Sequence, residues 1–479
     1  MVDNRIRQWG NMQQGIAWAS ATELLAAYRS KAVSPVEATQ ETLRRAEALD
    51  PALNAFCLLD PEAALEQARQ SEGRWQRGAP LGLLDGVPVS IKDIILTKGW
   101  PTLRGSKAIN PDQPWDEDGP AVARLREQGA VIFGKTTTSE FAAKPTTNTA
   151  LCGVTRNPWN LERTPGGSSG GAAASVAAGI SALALGTDAG GSIRMPANFC
   201  GIFGFKPGGG RVAMYPPTPY ATLAGFGPMT RSVVDAALML SVIAQPDPRD
   251  WDSLPADPTQ YHAELAADPK QWRIAWSPTL CGAVVDPEVA ALTESAAKVF
   301  EQLGAQVETV ETVFPDSRDL LFKLMRGLTD YAFHKFTPAQ LAVIDPDLLQ
   351  RVEQARGATA IDHLDAEMQR AQFARRMNEF HQRYDLLLSP VTAVPAFAAE
   401  RNEPEGYSGR NWYPFTFPFN LTRQPAASVP CGFTRDGLPV GLQIVGPRHR
   451  DLLVLQAARA FEQAAPWAAQ RPPLATRSM

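Results

Sequence analysis

Gly166-Gly167-Ser168-Ser169-Gly170-Gly171, a small-residue run from Gly171 to Ala178, the apolar Ile180-Ser181-Ala182-Leu183-Ala184-Leu185 and then Gly190-Gly191-Ser192-Ile193-Arg194 form one continuous stretch that decides the architecture. The first glycine loop opens a helix over 171–178, and the apolar run that follows is a buried strand ending in a second glycine loop. A helix handed directly to a buried strand is the mark of α/β layering. The same alternation recurs outward. Upstream, 120–128 predicts a helix followed by a strand over 130–133, and Gly86-Val87-Pro88-Val89-Ser90-Ile91-Lys92-Asp93 another buried strand. Downstream, Arg273-Ile274-Ala275-Trp276 predicts a strand with a helix over 285–303 behind it, and Tyr384 to Pro390 a further core strand. Two helices start earlier, at Ser20-Ala21-Thr22-Glu23 and Ser34-Pro35-Val36-Glu37. Both fit the capping box, the second with proline at the first helical position.

The expectation is an α/β fold: one large domain with a central mixed, mostly parallel sheet surrounded by helices. Within residues 1–479, residues 1–75 form an N-terminal helical part, 76–245 the core, and 246–479 a C-terminal part completing sheet and pocket. The Pro- and Asp-rich stretch 246–271 is a surface excursion, and 320–376 is helical with charges on periodic faces.

The two loops and the upstream lysine carry chemistry. A serine hydroxyl attacks an acyl carbon only when a base takes its proton. The five histidines, His262, His334, His363, His381 and His449, all lie downstream of both loops. Lys92 is the candidate base instead, because burial among Val87, Val89, Ile91, Ile94, Ile95 and Leu96 disfavours its charged form. A lysine snorkelling from an edge strand, or paired with Asp93, fits the same local sequence. Ala189, Gly190, Gly191 and Ser192 can turn consecutive backbone N–H groups toward one point, as an oxyanion hole requires. Ser168 suits a relay between lysine and nucleophile, and the helix N-terminus beside it adds positive potential.

The block from Gly166 to Gly204, with Gly86 to Asp93, resembles the amidase signature family. Further echoes are Gly134-Lys135-Thr136, Asn157-Pro158-Trp159-Asn160, Gly227-Pro228-Met229-Thr230-Arg231 and Asp436 to Gln443, so the likeness spans nearly the whole chain. The resemblance implies a large mixed sheet wrapped by helices, with Ser192 as nucleophile, Ser168 as a bridging serine in cis peptide geometry and Lys92 as general base. It also implies supporting roles for Ser169, Asp188 and Arg194. One departure is Gly208-Gly209-Gly210 before Arg211, where the family usually has a threonine and a tyrosine.

Two other motifs match in letters only. Gly129 to Thr136 spells a phosphate loop, but its strand should precede the first glycine, whereas here 130–133 is itself the strand. Gly167-Ser168-Ser169-Gly170-Gly171 spells the nucleophile elbow of α/β-hydrolases, which would make Ser169 the nucleophile and leave Lys92 and Ser192 without a role.

Composition narrows the class. With 44% hydrophobic and 20% charged residues and a formal charge of −4, nothing points to nucleic-acid binding. Met1 to Gly15 is polar and unlike a signal peptide, and the apolar stretch 170–186 is short and interrupted for a membrane span. A cytoplasmic protein, monomeric or homodimeric, with no cofactor and no metal is expected. The five scattered cysteines read as buried thiols.

Candidate pocket walls are Met214 to Tyr220 with Tyr215 and Tyr220, Phe322 to His334, and Trp412 to Phe419 with Phe415. No arginine cluster announces a carboxylated substrate, although Arg326 or Arg410 could serve one. The resulting expectation is an amidohydrolase for small, fairly hydrophobic amides, with anilides, carbamates and esters within reach. The alternatives are the glutaminase-type component of a tRNA-dependent amidotransferase complex and a non-catalytic binding module on the same fold.

Overall fold

Alternating apolar positions explain how the centre of the molecule is built. In the strand over 183–188, Leu183 and Leu185 join one hydrophobic cluster and Ala184 another; Leu386 and Leu388 are likewise separated from Leu387. Successive side chains of a strand point to opposite faces, so these strands belong to a sheet buried on both sides.

The computed structural model describes residues 12–220, 222–407 and 411–476. The polar stretch up to residue 11, and Arg410, lie outside the described residues. In chain order the strands are β1 (Phe56–Leu59), β2 (Pro88–Lys92), β3 (Val131–Thr136), β4 (Asn148–Thr149), β5 (Gly153–Val154), β6 (Leu183–Asp188), β7 (Phe203–Lys206), β8 (Gly225–Thr230), β9 (Arg273–Trp276), β10 (Gln306–Thr309), β11 (Leu386–Pro390), β12 (Ala426–Phe433) and β13 (Pro439–Val445). Eleven of them form one sheet in the order β1-β3-β2-β6-β8-β7-β12-β13-β11-β9-β10, and β4 and β5 make a separate ribbon.

The expected α/β class and single large mixed-sheet domain hold, but the mostly parallel sheet does not. Parallel pairings are confined to β3-β2, β2-β6, β11-β9 and β9-β10, and the other neighbours in the sheet are antiparallel. Parallel neighbours need a crossover, and the helices Pro120–Glu127 and Pro287–Gln302 supply it between β2 and β3 and between β9 and β10. In the middle of the sheet such crossovers are missing. Among the described residues no helix lies between β7 and β8, and β12 turns directly into β13 through Asp436-Gly437, with Gly437 at φ 74°.

Helices Val233–Ile243 and Asp451–Ala464 pack on the face that carries Leu183 and Leu185, while Gly170–Ala177 and Arg194–Cys200 fill the other. Both capping boxes form: the Ser20 and Ser34 hydroxyls accept from the Glu23 and Glu37 N–H groups, with the glutamates returning to the cap backbone. The helices over 320–376 break into Arg318–Phe333, Pro338–Leu341, Pro346–Ala355 and Ala360–Phe380. Among the described residues no helix is long and apolar enough to cross a membrane. Of the five thiols, Cys200 is buried while Cys57 is exposed.

Candidate active site

Lys92 ends β2, the strand between β3 and β6, and has no exposed surface. Its Nζ lies 2.6 Å from Ser168 Oγ, 2.7 Å from Thr187 Oγ1 and 3.5 Å from the Thr187 carbonyl. Burial holds the amine well below its ordinary pKa, against a smaller upward pull from Asp188. Thr187 was not singled out in the sequence; the only local signal is its place near the end of β6, three residues before Gly190 of the glycine loop. The snorkelling alternative for Lys92 is excluded by its burial. The Asp93 alternative fails as well, because Asp93 pairs with Lys135 at 3.1 Å. That pairing also closes the phosphate-loop reading, since Lys135 is buried within β3.

The Gly167–Ser168 peptide is cis. Its loop is fixed by close approach: a Cβ on Gly167 would lie 2.6 Å from the Thr146 backbone. The Ser169 hydroxyl donates to the Thr187 carbonyl at 3.1 Å and its N–H to the Ser192 carbonyl at 3.2 Å. Ser169 is therefore a buried tie between the two loops, which excludes it as an exposed elbow nucleophile.

The second loop leaves β6 at Asp188. That carboxylate accepts the Gly191 N–H at 2.7 Å, the Ile193 N–H at 3.2 Å, and two N–H groups of Arg194 at 2.9 Å each. Burial pushes the Asp188 pKa up, but the Arg194 charge outweighs it and the carboxyl is held far below its usual range. Arg194, itself fully buried, also donates to the Thr416 carbonyl at 2.7 Å, Gln443 Oε1 at 2.9 Å and Asn420 Oδ1 at 2.6 Å. Asn420 in turn donates to the Asp188 carbonyl and Oδ1. Asp188 and Arg194 thus brace the loop as expected, but Thr416 and Asn420 were missed because they lie over 220 positions away in the chain.

One expectation needs correcting. Gly191 cannot offer its N–H to an oxyanion, because Asp188 already holds it. Among the described residues the N–H groups of Ala189, Gly190 and Ser192 have no acceptor within the protein, so they remain as donors.

Ser168, Thr187, Ala189 and Ser192 line one end of a cavity of about 430 Å³. Met214 to Tyr220 and the helix Arg318–Phe333 form its walls, and Tyr220 Oη lies 3.3 Å from Thr329 Oγ1 across it. Tyr215 and Tyr220 therefore belong to the pocket. Phe415 does not: its side chain is fully buried in a core cluster with Trp412 and Phe417, and only its carbonyl is near the site, accepting from Gln443. The run's apolar character reflects packing. Arg326, named from the sequence as able to serve a carboxylate, lines the cavity, and Arg104 and Arg351, which were not named, line it too. They come from separate segments, so no local pattern announces them. His334 lies on the wall too, with its ring Nδ1 against the Tyr331 carbonyl.

A family model described as Amidase matches residues 37–455. An acylamidase from Rhodococcus erythropolis is 37% identical over 476 residues, covering 96% of this chain and 98% of the relative. A glutamyl-tRNA(Gln) amidotransferase subunit from Cyanothece sp. is also 37% identical, over 483 residues, covering 95% and 100%. Among solved structures, a bacterial aryl acylamidase of the amidase signature family superposes with a TM-score of 0.88 at 32% identity, covering 96% of this chain and 99% of that one. A 6-aminohexanoate cyclic dimer hydrolase complexed with substrate gives 0.87 at 30% identity, with the same coverage. With a family match over most of its length and relatives aligned almost end to end, the chain belongs to the amidase signature family, whose members include amide-hydrolysing enzymes, and is itself one.

Proposed function

We propose that the protein hydrolyses C–N acyl bonds of small, fairly hydrophobic amides through an acyl-enzyme on Ser192, with Ser168 as proton relay and Lys92 as general base. The observation that carries this reading is the 2.6 Å contact between a buried, charge-disfavoured Lys92 Nζ and Ser168 Oγ, beside a Ser192 that faces the cavity. In its neutral form Lys92 directs its N–H groups to the two Thr187 oxygens and its lone pair to the Ser168 hydroxyl. Ser168 then passes its proton to Lys92 and takes the Ser192 proton as Ser192 Oγ bonds to the acyl carbon. The N–H groups of Ala189, Gly190 and Ser192 receive the developing oxyanion. As the C–N bond breaks, the relay runs backward and the leaving nitrogen takes the proton. Water then cleaves the ester by the same route, restoring Ser192.

The apolar walls favour an apolar acyl or amine group. Anilides agree with the acylamidase relative and the aryl acylamidase neighbour, and carbamates and esters are accessible to the same serine. A second reading is favoured by the amidotransferase relative: a glutaminase-type component that works only with a partner chain. Purified protein alone is tested on glutamine, a short aliphatic amide, an acyl anilide and an aryl carbamate, each repeated with Ser192→Ala. Cleavage of anilide or carbamate that vanishes in the variant supports the free-standing amidase. Activity on glutamine only, or on nothing without a partner, overturns it in favour of the amidotransferase component.

A further inference from the structure

The cavity lining has one sign of charge. Arg104, Arg326, Lys335 and Arg351 line it, and among the described residues no Asp or Glu does, in a chain whose formal net charge is −4. Two of these cations are held by backbone carbonyls and a third lies toward solvent. Arg326 donates to the Arg356 carbonyl at 3.3 Å, and Arg351 to the Ala143 carbonyl at 2.6 Å and the Asp347 carbonyl at 3.2 Å. Lys335 stands at the end of the helix Arg318–Phe333, toward solvent.

Arg104 is half-buried, and among the described residues its guanidinium forms no hydrogen bond or ion pair. Its backbone is nonetheless held firmly. With φ at 56°, its carbonyl accepts the Phe141 N–H at 2.8 Å, and the next residue, Gly105, donates its N–H to Asp93 Oδ2 at 3.2 Å. Asp93 follows Lys92 directly and is itself engaged by Lys135, so it leaves the guanidinium without a contact partner. Burial lowers the pKa of Arg104, yet an arginine starts so high that it stays cationic at neutral pH. A partly desolvated guanidinium with its donors unfilled, anchored beside the end of β2 and open to the cavity, is built to meet a planar anion.

We propose that Arg104 is a specificity-determining anchor for a carboxylate on the substrate, so that the preferred amides carry a free carboxylate separated from the scissile bond by an apolar spacer. This rests on the hydrolase reading above. The apolar walls then hold the spacer, and the remaining cations at the wall draw the anion in and disfavour cationic amides.

Two matched pairs test the proposal. On the acyl side, glutaryl and butyryl 4-nitroanilide differ in a terminal carboxylate; on the amine side, 4-acetamidobenzoate and 4-acetamidobenzamide do. Binding is measured calorimetrically in the Ser192→Ala protein, with and without Arg104→Met, and turnover in protein that retains Ser192. Methionine carries the same left-handed backbone penalty as arginine, and Arg104→Lys provides a second variant that keeps the charge. The expected result is that, in at least one pair, the carboxylate ligand binds about tenfold more tightly than its neutral partner. That advantage disappears with Arg104→Met, is partly retained with Arg104→Lys, and shrinks with added salt, while the neutral ligand is unaffected. A carboxylate that binds no more tightly than its neutral partner in both pairs overturns the anchor, as does an advantage that survives Arg104→Met. The hydrolase reading fails separately, if protein with Ser192 cleaves neither member of either pair, and the binding comparison still decides the anchor.

Discussion

Burying Lys92 beside hydroxyl and carbonyl oxygens, where a salt-bridged lysine would have a carboxylate, makes its ammonium form costly and sets the sign of the pH dependence. As pH falls, Lys92 takes a proton and the proposed base is lost, so kcat/KM on an anilide declines on the acid side. Lys92→Met should lower the rate about 10²–10⁴-fold where wild-type Lys92 is neutral, and by less on the acid side, where wild type loses the same base. Thr187→Val removes an oxygen that stabilises the ammonium, so the acid limb should move to lower pH; a move to higher pH would contradict the assigned geometry. The glycines of the second loop separate in the same way. Gly191 has φ 126°, and a Cβ there would lie 2.4 Å from Thr416 Oγ1, whereas at Gly190 the nearest atom is 3.9 Å away. Gly191→Ala should abolish activity or folding, and Gly190→Ala should leave the far-ultraviolet circular dichroism and the melting temperature close to wild type. Much at this scale was legible in the sequence. Lys92 meets Ser168, Asp188 meets Arg194, and Ser192 lines the same cavity as Ser168, because two of the three segments are glycine loops at element ends. Thr187 was not legible, since a threonine at a strand end has no distinguishing local pattern.

Asn420 shows how elements depend on one another. It accepts from Arg194 and donates to Asp188 and to the Leu223 carbonyl, tying β6 to the segment before β12 and to the segment before β8. Asn420→Ala leaves buried charged groups short of partners and should cost on the order of 2–3 kcal/mol in urea unfolding, together with a fall in kcat. A change below about 0.5 kcal/mol would mean that the brace is not stabilising. Elements set by local interactions were readable, as the two capping boxes and the helices behind β2 and β9 illustrate. Strand direction was not, because it depends on what joins the strands. The Asp436-Gly437 turn was the one local signal of the antiparallel centre.

Across the whole molecule, buried lysines leave a trace in stability. Burial, with the nearby Arg194 charge, lowers the Lys206 pKa to about 7, against an unfolded value of about 10.4. Between those values the unfolded chain binds the additional proton, so this residue makes stability rise with pH across that window. The difference in urea midpoint between wild type and Lys206→Met should therefore shift in favour of wild type as pH is raised from neutrality; a difference independent of pH would refute the assignment. The pocket was the least legible part of the protein. Met214 to Tyr220 and the helix Arg318–Phe333 could be named as walls, but Arg104, Arg326 and Arg351 converge only through the tertiary fold, and Trp412 to Phe419 proved to be core. The brace on Arg194 also bears on synthesis. Its partners Asn420 and Gln443 follow it by 226 and 249 residues, so a ribosome makes Ser192 long before it makes what grips its loop. A nascent chain therefore carries the proposed nucleophile unarmed, and on this reading hydrolytic competence arrives late, with β13.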